Sequence, residues 1–299
     1  MSINQTPTIM LSVRLMTYNH SEYILEALNS INLQKTNFNF EVVIGDDFST
    51  DDTLSKIKNF KFHNPKLSVN ILNRVKGDSY DILRQEKGRL VNFIDIINNC
   101  KGKYIALLDG DDYWSAPLKL QKQVDLLEAN EEYVISCHNS TIVNADGSFN
   151  KVFNENEVPE ITDTNYILSN AWYIPTASVV FKNFDLILPK WFYKGLNGDY
   201  MLYLILTSNG GLVHYENQIM SSYRLHSGGV SNVFKKKNIY NYSMIFINRK
   251  FDKFSEGIYY TVIKENIEKH SISILKSIPA LSKEFWRVAI NLMWFNKKL

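Results

Sequence analysis

The sequence predicts an α/β fold in which a mixed, mostly parallel sheet is flanked by helices, with a helical extension at the C-terminus. Three observations predict it. Apolar strands alternate with amphipathic helices through the first half, and the residues after each of the strands discussed below are polar. Glycine and proline are sparse, 13 and 7 of 299 residues, so long regular elements are expected. With 45% hydrophobic and 21% charged residues the chain can bury a sizeable core, and disorder is excluded. The formal charge of +2, with no basic block, gives no case for a nucleic-acid partner. Cys100 and Cys137 form no CxxC pair and read as ordinary thiols in a reducing compartment.

Each element follows from its apolar period. Ile9 to Met16 reads as a strand, Tyr23, Ile24, Ala27, Leu28 and Ile31 recur at helical spacing, and Phe40 to Ile44 is a second strand, which completes a βαβ unit. A helix with Leu54 and Ile57, opened by Ser49-Thr50-Asp51, leads to a strand at Leu67 to Leu72. A helix with Leu90, Phe93, Ile94 and Ile97 on one face precedes a strand at Tyr104 to Leu108. The basic stretch between them, with Arg74, Lys76, Arg84, Lys87 and Arg89, reads as a loop. Beyond lie strands near Tyr133 to Cys137 and Ser178 to Phe181, a helix from Asp199 to Thr207 stopped by Gly210-Gly211, and a strand at Leu212 to Tyr215. From about Lys235 the pattern turns helical and more basic, which divides the chain into a catalytic domain at 1–234 and a helical extension at 235–299.

The polar stretch Met1 to Pro7 lacks the pattern of a secretory signal, and Thr164 to Phe181 holds too many polar groups for a lipid-exposed helix. A cytoplasmic protein with no transmembrane span is expected. In parallel sheets ligands bind beyond the carboxyl ends of strands, here Thr17-Tyr18-Asn19, Asp46-Asp47 and Asp109-Gly110-Asp111-Asp112. No GxGxxG or GxxxxGK loop follows the first strand, so dinucleotide oxidoreductases and P-loop nucleotidases are disfavoured.

The acidic strand end, Asp109 to Asp112 followed by Tyr113-Trp114, is the strongest signal. Three carboxylates within four residues repel one another unless a cation neutralises them, and carboxylate and phosphate oxygens suit Mg²⁺ or Mn²⁺. The competing reading is an acidic turn with Asp112 capping the next helix, whose start Pro117 marks.

Taken together, Thr17-Tyr18-Asn19-His20 with Glu22, Val42 through Asp51, and Lys101-Gly102-Lys103-Tyr104-Ile105 leading into Asp109 to Trp114 resemble a family-2 glycosyltransferase of the GT-A fold. The resemblance runs from about Leu11 through Ser231, some three quarters of the chain. It implies an inverting enzyme that uses a nucleoside-diphosphate sugar, UDP-linked by preference, and a divalent metal. Thr17, Tyr18 and Asn19 would meet the nucleotide base, with Tyr18 offering a ring for stacking, and Asp47 would accept a hydrogen bond from a uracil-type imide N–H. Asp46 would brace the turn, and Lys87 is the basic residue assigned to the donor. Asp109 and Gly110 would also line the donor site, while Asp109, Asp111 and His226 would hold the metal.

In the second half, Gly198-Asp199-Tyr200 opens a helix where the family carries its catalytic carboxylate, so Asp199 is the implied base; a plain N-terminal cap is the competing reading, and the commoner Glu before the Asp is here Gly198. Arg224, in Tyr223-Arg224-Leu225-His226-Ser227-Gly228-Gly229-Val230-Ser231, would reach the diphosphate. Asp112, Trp114, Trp172 and Thr176 are assigned to the acceptor, a hydroxyl of a glycan or lipid-linked sugar in surface polysaccharide assembly. A sugar nucleotidyltransferase and a non-catalytic nucleotide-sugar-binding module remain as alternatives.

After Pro279 the tail is apolar over a wide arc. On a helix, Phe285, Val288, Ala289, Leu292 and Phe295 share one face, and Trp286, Ile290, Met293 and Trp294 make a second strip, with Lys297 and Lys298 following. Two apolar strips want two partners: the protein body and either a neighbouring subunit or the inner face of a membrane.

Overall fold

The computed structural model describes residues 8–184, 186–229, 238–280 and 282–296, the last six of these as backbone only. Expectations placed on Met1 to Pro7, on Val230 and Ser231, on the 234/235 boundary and on Lys297 and Lys298 lie outside the described residues, as do the side chains of Leu292, Met293, Trp294 and Phe295. The chain forms two compact units. One comprises Met1–Thr162, Trp172–Lys194 and Gly211–Leu225; the other comprises Asp163–Ala171, Gly195–Gly210 and His226–Leu299.

The first unit begins with the expected alternation: β1 (Leu11–Thr17), α1 (Ile24–Asn32), β2 (Phe40–Asp46), α2 (Thr53–Asn59), β3 (Leu67–Ile71), α3 (Ser79–Lys87), α4 (Leu90–Asn98) and β4 (Tyr104–Asp109). It continues through β5 (Tyr113–Trp114), α5 (Lys119–Ala129), β6 (Tyr133–Asn144), β7 (Phe149–Val152), β8 (Ile161–Thr162), β9 (Val180–Lys182) and β10 (Leu212–Leu225). These strands form one sheet in the order β3-β2-β1-β4-β9-β6-β10-β5, with β7 beside β6 and β8 beside β10. The β1, β2, β3 and β4 pairings are parallel, as is β6 with β10, whereas β9 runs antiparallel to β4 and β6.

Alternation along the strands decides which side chains meet which helices. Leu11, Val13 and Leu15 of β1 and Tyr104, Ala106 and Leu108 of β4 pack in one cluster with Ala27, Leu28 and Ile31 of α1 and with Leu120, Val124 and Leu127 of α5. Each fully buried side chain of this kind contributes about 1.5–3 kcal/mol. That layer fixes the register, and the register sets the strand ends side by side: Thr17 opposite Asp46 and Met16 opposite Asp109.

Three elements, α3, β6 and β10, differ from expectation, and the competing reading of Asp112 as a helix cap does not hold. The basic stretch before α4 contains α3, whose side chain-capped start is Asp78, accepting from Asp81 N at 2.8 Å, and whose end is Gly88 at φ +89°. β6 and β10 run on to Asn144 and Leu225 because buried hydroxyls pair between them, Ser140 with Ser221 at 2.5 Å and Thr141 with Ser222 at 2.8 Å. Asp112 does not cap α5, whose N-cap position is Leu118.

The second unit is helical in the described residues: α6 (Thr164–Ser169), α7 (Gly198–Thr207), α8 (Ile239–Phe254), α9 (Tyr260–Ser277) and α10 (Lys283–Asn296). Thr164 Oγ1 donates to the Thr207 carbonyl at 2.9 Å and ties α6 to α7. Val288 and Phe285 of α10 pack on Ile274 and Ile278, so these two residues of the first apolar strip face the C-terminal end of α9 and the residue after it. Among the described residues no helix is long and apolar enough to cross a membrane.

Candidate nucleotide-sugar and metal site

The turns after β1 and β2 are laced into one surface. Asp47 N donates to the Thr17 carbonyl at 2.9 Å, Asn19 N to Ser49 Oγ at 2.8 Å, and Thr50 N back to Asn19 Oδ1 at 2.8 Å. Asn19 adopts φ +54°, a conformation asparagine tolerates better than most residues. Asp46 accepts from the Ser49 hydroxyl at 2.5 Å and from its amide at 2.9 Å, so it braces the turn. Asp51 takes bonds from Thr53 and Ser21; burial alone would raise its carboxyl pKa, but those bonds outweigh it and bring it down to about 2. Tyr18 stands 52% exposed beside this turn.

Asp47 is buried at 8% exposure and receives the Tyr80 hydroxyl at 2.8 Å and Arg84 Nε at 2.8 and 3.0 Å. Burial and then the carboxylates around it, offset in part by Arg74, push the Tyr80 phenol up. Arg74 lies 3.8 Å over the Tyr80 ring and donates to the Asp46 carbonyl, Asn92 and Asp95. Among the basic residues of this segment Arg84 meets Asp47; Lys87, exposed at the end of α3, pairs with Glu86.

At the end of β4, Asp109 accepts from the fully buried Arg14 at 2.6 Å. Gly110 N bonds the Met16 carbonyl at 2.9 Å, and a Cβ at Gly110 would come within 2.7 Å of Thr17 Oγ1 and 2.9 Å of His20 Nδ1. The acidic turn therefore lies directly against the β1 turn. His20 Nε2 stands 3.6 Å from Asp111 Oδ2, both side chains partly exposed. An imidazole nitrogen and a carboxylate oxygen so placed are a donor set that fits Mn²⁺ or Mg²⁺. Of the two aspartates expected to hold metal, Asp111 faces His20 and Asp109 faces Arg14.

Asp112 is buried and accepts the Arg224 amide at 2.9 Å; burial, then Asp111, then Asp109 push its carboxyl well above the usual range. Arg224 donates Nε to the Asp111 carbonyl at 3.0 Å, Nη1 to the Ala145 carbonyl at 3.1 Å and Nη2 to Glu26, and lies 4.8 Å over the Tyr23 ring. Trp114 is also buried, with Nε1 on the Ala177 carbonyl at 2.8 Å and Lys119 at 4.5 Å from its ring. Asp112 and Trp114, assigned to the acceptor from sequence, thus make internal contacts, while Trp172 is 45% exposed and Thr176 opens the short 3₁₀ turn Thr176–Ser178. Asp199 and His226 belong to the second unit: Asp199 sits in the first turn of α7 with Oδ1 accepting from Tyr200 N at 2.9 Å, and His226 follows β10 directly.

Sequence reasoning left His20, Tyr80, Arg84 and Arg14 without roles. His20 stood within the first motif, and a charged Arg14 inside an apolar strand was a signal for a buried partner.

A mixed, mostly parallel sheet with flanking helices is the fold of GT-A glycosyltransferases, and the expected fold class is the one found. The chain belongs to glycosyl transferase family 2, whose family profile matches residues 12–184. An uncharacterized protein of Mycobacterium tuberculosis is 32% identical over 225 residues, 74% of this chain, and the match spans 60% of that relative's length. The Escherichia coli UDP-Glc:alpha-D-GlcNAc-diphosphoundecaprenol beta-1,3-glucosyltransferase WfaP is 28% identical over 236 residues, 76% of this chain and 82% of WfaP. A crystal structure of S. aureus TarS in complex with UDP-GlcNAc superposes with a TM-score of 0.61 at 17% identity, covering 95% of this chain and 79% of the other.

Proposed function

We propose that this protein is a metal-dependent, inverting glycosyltransferase that moves a sugar from a UDP-linked donor to a hydroxyl of a glycan or lipid-linked acceptor in polysaccharide assembly. The observation that carries the reading is the meeting of Asp47 and the exposed Tyr18 with the His20–Asp111 pair at one edge of the sheet, a base subsite and a cation subsite on adjoining turns. The UDP-Glc donor of WfaP and the UDP-GlcNAc bound to TarS support the choice of base, and the lipid-linked acceptor of WfaP supports a cytoplasmic enzyme working at a membrane face.

Asp47 accepts the uracil imide N–H, Tyr18 stacks on the base, and Thr17 and Asn19 shape the turn beneath it. Asp111 and His20 hold the cation, with Asp109 and Gly110 completing the wall of the donor site. A divalent ion there supplies Lewis-acid neutralisation of the charge that develops on the leaving diphosphate. The roles of Asp199 and His226 rest on the sequence resemblance alone: Asp199 takes the proton of the acceptor hydroxyl as that oxygen attacks the anomeric carbon from the face opposite the diphosphate, and His226 adds a ligand for the cation. Trp172 and Thr176 meet the acceptor.

Calorimetry with UDP tests the donor half. Binding with Mn²⁺ that is lost in chelator and in Asp111→Asn is expected; equal affinity in chelator would sink the metal assignment. For the base, Asp199→Asn is expected to lower transfer about 100-fold or more while UDP affinity stays within twofold. A matching loss of UDP affinity would make Asp199 a cap or donor contact.

A further inference from the structure

The second unit carries a surface that the transfer reaction does not use. Phe285 and Val288 turn one side of α10 toward α9, and the positions opposite are Lys283, Trp286, Arg287 and Ile290, spaced three and four apart and therefore on one stripe. All four are exposed, Trp286 at 47% and Ile290 at 46%. Glu284, the single carboxylate of α10, lies off the stripe and accepts the Tyr242 hydroxyl at 2.6 Å. On α9 the exposed positions Lys269, Ile272 and Lys276 repeat the same combination, with Ile272 at 45%.

The charge is as uneven as the exposure. From Lys269 to the last residue there are six basic side chains, Lys269, Lys276, Lys283, Arg287, Lys297 and Lys298, against Glu284 alone, a net of +5 in a chain whose total is +2. A second copy of the chain docked symmetrically on the stripe would set Lys283 against its own counterpart with no carboxylate on the stripe to pair it, while Arg287 already interacts with the Tyr242 hydroxyl that Glu284 accepts. A surface that is apolar at depth and anionic at its boundary satisfies both kinds of side chain. Trp286 and Ile290 enter the acyl boundary, and the lysines and Arg287 remain at the headgroups.

We propose that the outer stripe of α10, Lys283, Trp286, Arg287 and Ile290, binds an anionic lipid bilayer and lies along its surface. The attachment proposed is by the face of α10, and among the described residues no helix is long and apolar enough to cross a bilayer. The inference deepens the acceptor side of the function proposed above and rests on that reading only for its purpose, since a lipid-linked acceptor is available only at such a surface.

The test is sedimentation of the full chain with vesicles of phosphatidylglycerol and phosphatidylcholine, and with phosphatidylcholine alone. Binding to the anionic vesicles is expected to be at least about tenfold tighter than to neutral ones and to fall steeply with salt. Trp286→Ser with Ile290→Ser, both exposed, should weaken it about tenfold or more with the unfolding midpoint and UDP affinity unchanged. Equal binding to neutral vesicles, no binding by the native chain, or full binding by the double variant overturns the proposal. So does a dimer of the native chain that the double variant disperses, since a second copy would then cover the stripe. Absent UDP binding beside intact vesicle binding would count against the glycosyltransferase reading alone.

Discussion

Arg14 spans from the middle of β1 to Asp109 at the end of β4, 2.6 Å away, with its own side chain wholly buried and its guanidinium 4.8 Å from the Phe93 ring. Among the described residues Nε and Nη2 of this guanidinium have no hydrogen-bond partner, so Asp109 is its one polar anchor there. The pair ties the acidic end of β4 to the middle of β1.

Arg14→Ala should therefore destabilise the protein by about 1.5–3 kcal/mol, the worth of a charge-assisted bond whose remaining member, Asp109, is 28% exposed and stays in reach of water. Urea unfolding measures it. A loss under about 1 kcal/mol would mean that solvent reaches Asp109 well enough to replace the arginine.

Asp47→Asn should weaken UDP binding about 10–100-fold and erase the preference for UDP over CDP, because only uracil offers an imide N–H to the carboxylate. Calorimetry with both nucleotides reads the ratio. An unchanged preference would place the base elsewhere.

Arg224 holds the Asp111 carbonyl, the β6–β7 turn and Glu26 at once. If it positions the turn proposed to hold the cation, Arg224→Lys should weaken Mn²⁺ binding about 10–100-fold even with no nucleotide present. A loss seen only when diphosphate is added would instead make Arg224 a direct phosphate contact, as its place in the sequence motif implied.

His270 is buried in the second unit with Nδ1 on Asn241 at 2.9 Å, and burial, with Lys269 adding to it, lowers its pKa to about 4. The unfolded chain protonates this imidazole near pH 6.5, whereas the folded chain resists until about pH 4, so stability is lost as pH falls through that window. Urea midpoints between pH 7 and 4.5 should fall less in His270→Gln than in the native chain. Parallel slopes would assign the acid sensitivity to other groups.

The strands that frame the site were legible because their apolar runs end abruptly at Thr17, Asp46 and Asp109. α3 was not, since its apolar residues Ile82 and Leu83 are exposed and its buried residue is Asp81, so no apolar stripe marks it. Its capping residues, Asp78 and Gly88, were the available signal. The far ends of β6 and β10 were hidden for a related reason: Asn139 and Ser140 are polar yet buried, and their partners Asn217 and Ser221 are distant in sequence. Composition told that carboxylates crowd at Asp109 to Asp112, but which of them faces a cation, an arginine or a backbone amide depends on strand register.

The absence of a side chain at Gly110 has a consequence for how this protein can diversify. Because any added carbon there would strike Thr17 and His20, the loop after β1 and the loop after β4 cannot be altered independently. A variant library that randomises one of them against a fixed copy of the other should return few folded members, while joint randomisation should recover many. The two loops make up a single heritable module, although the sequence separates them by some ninety positions.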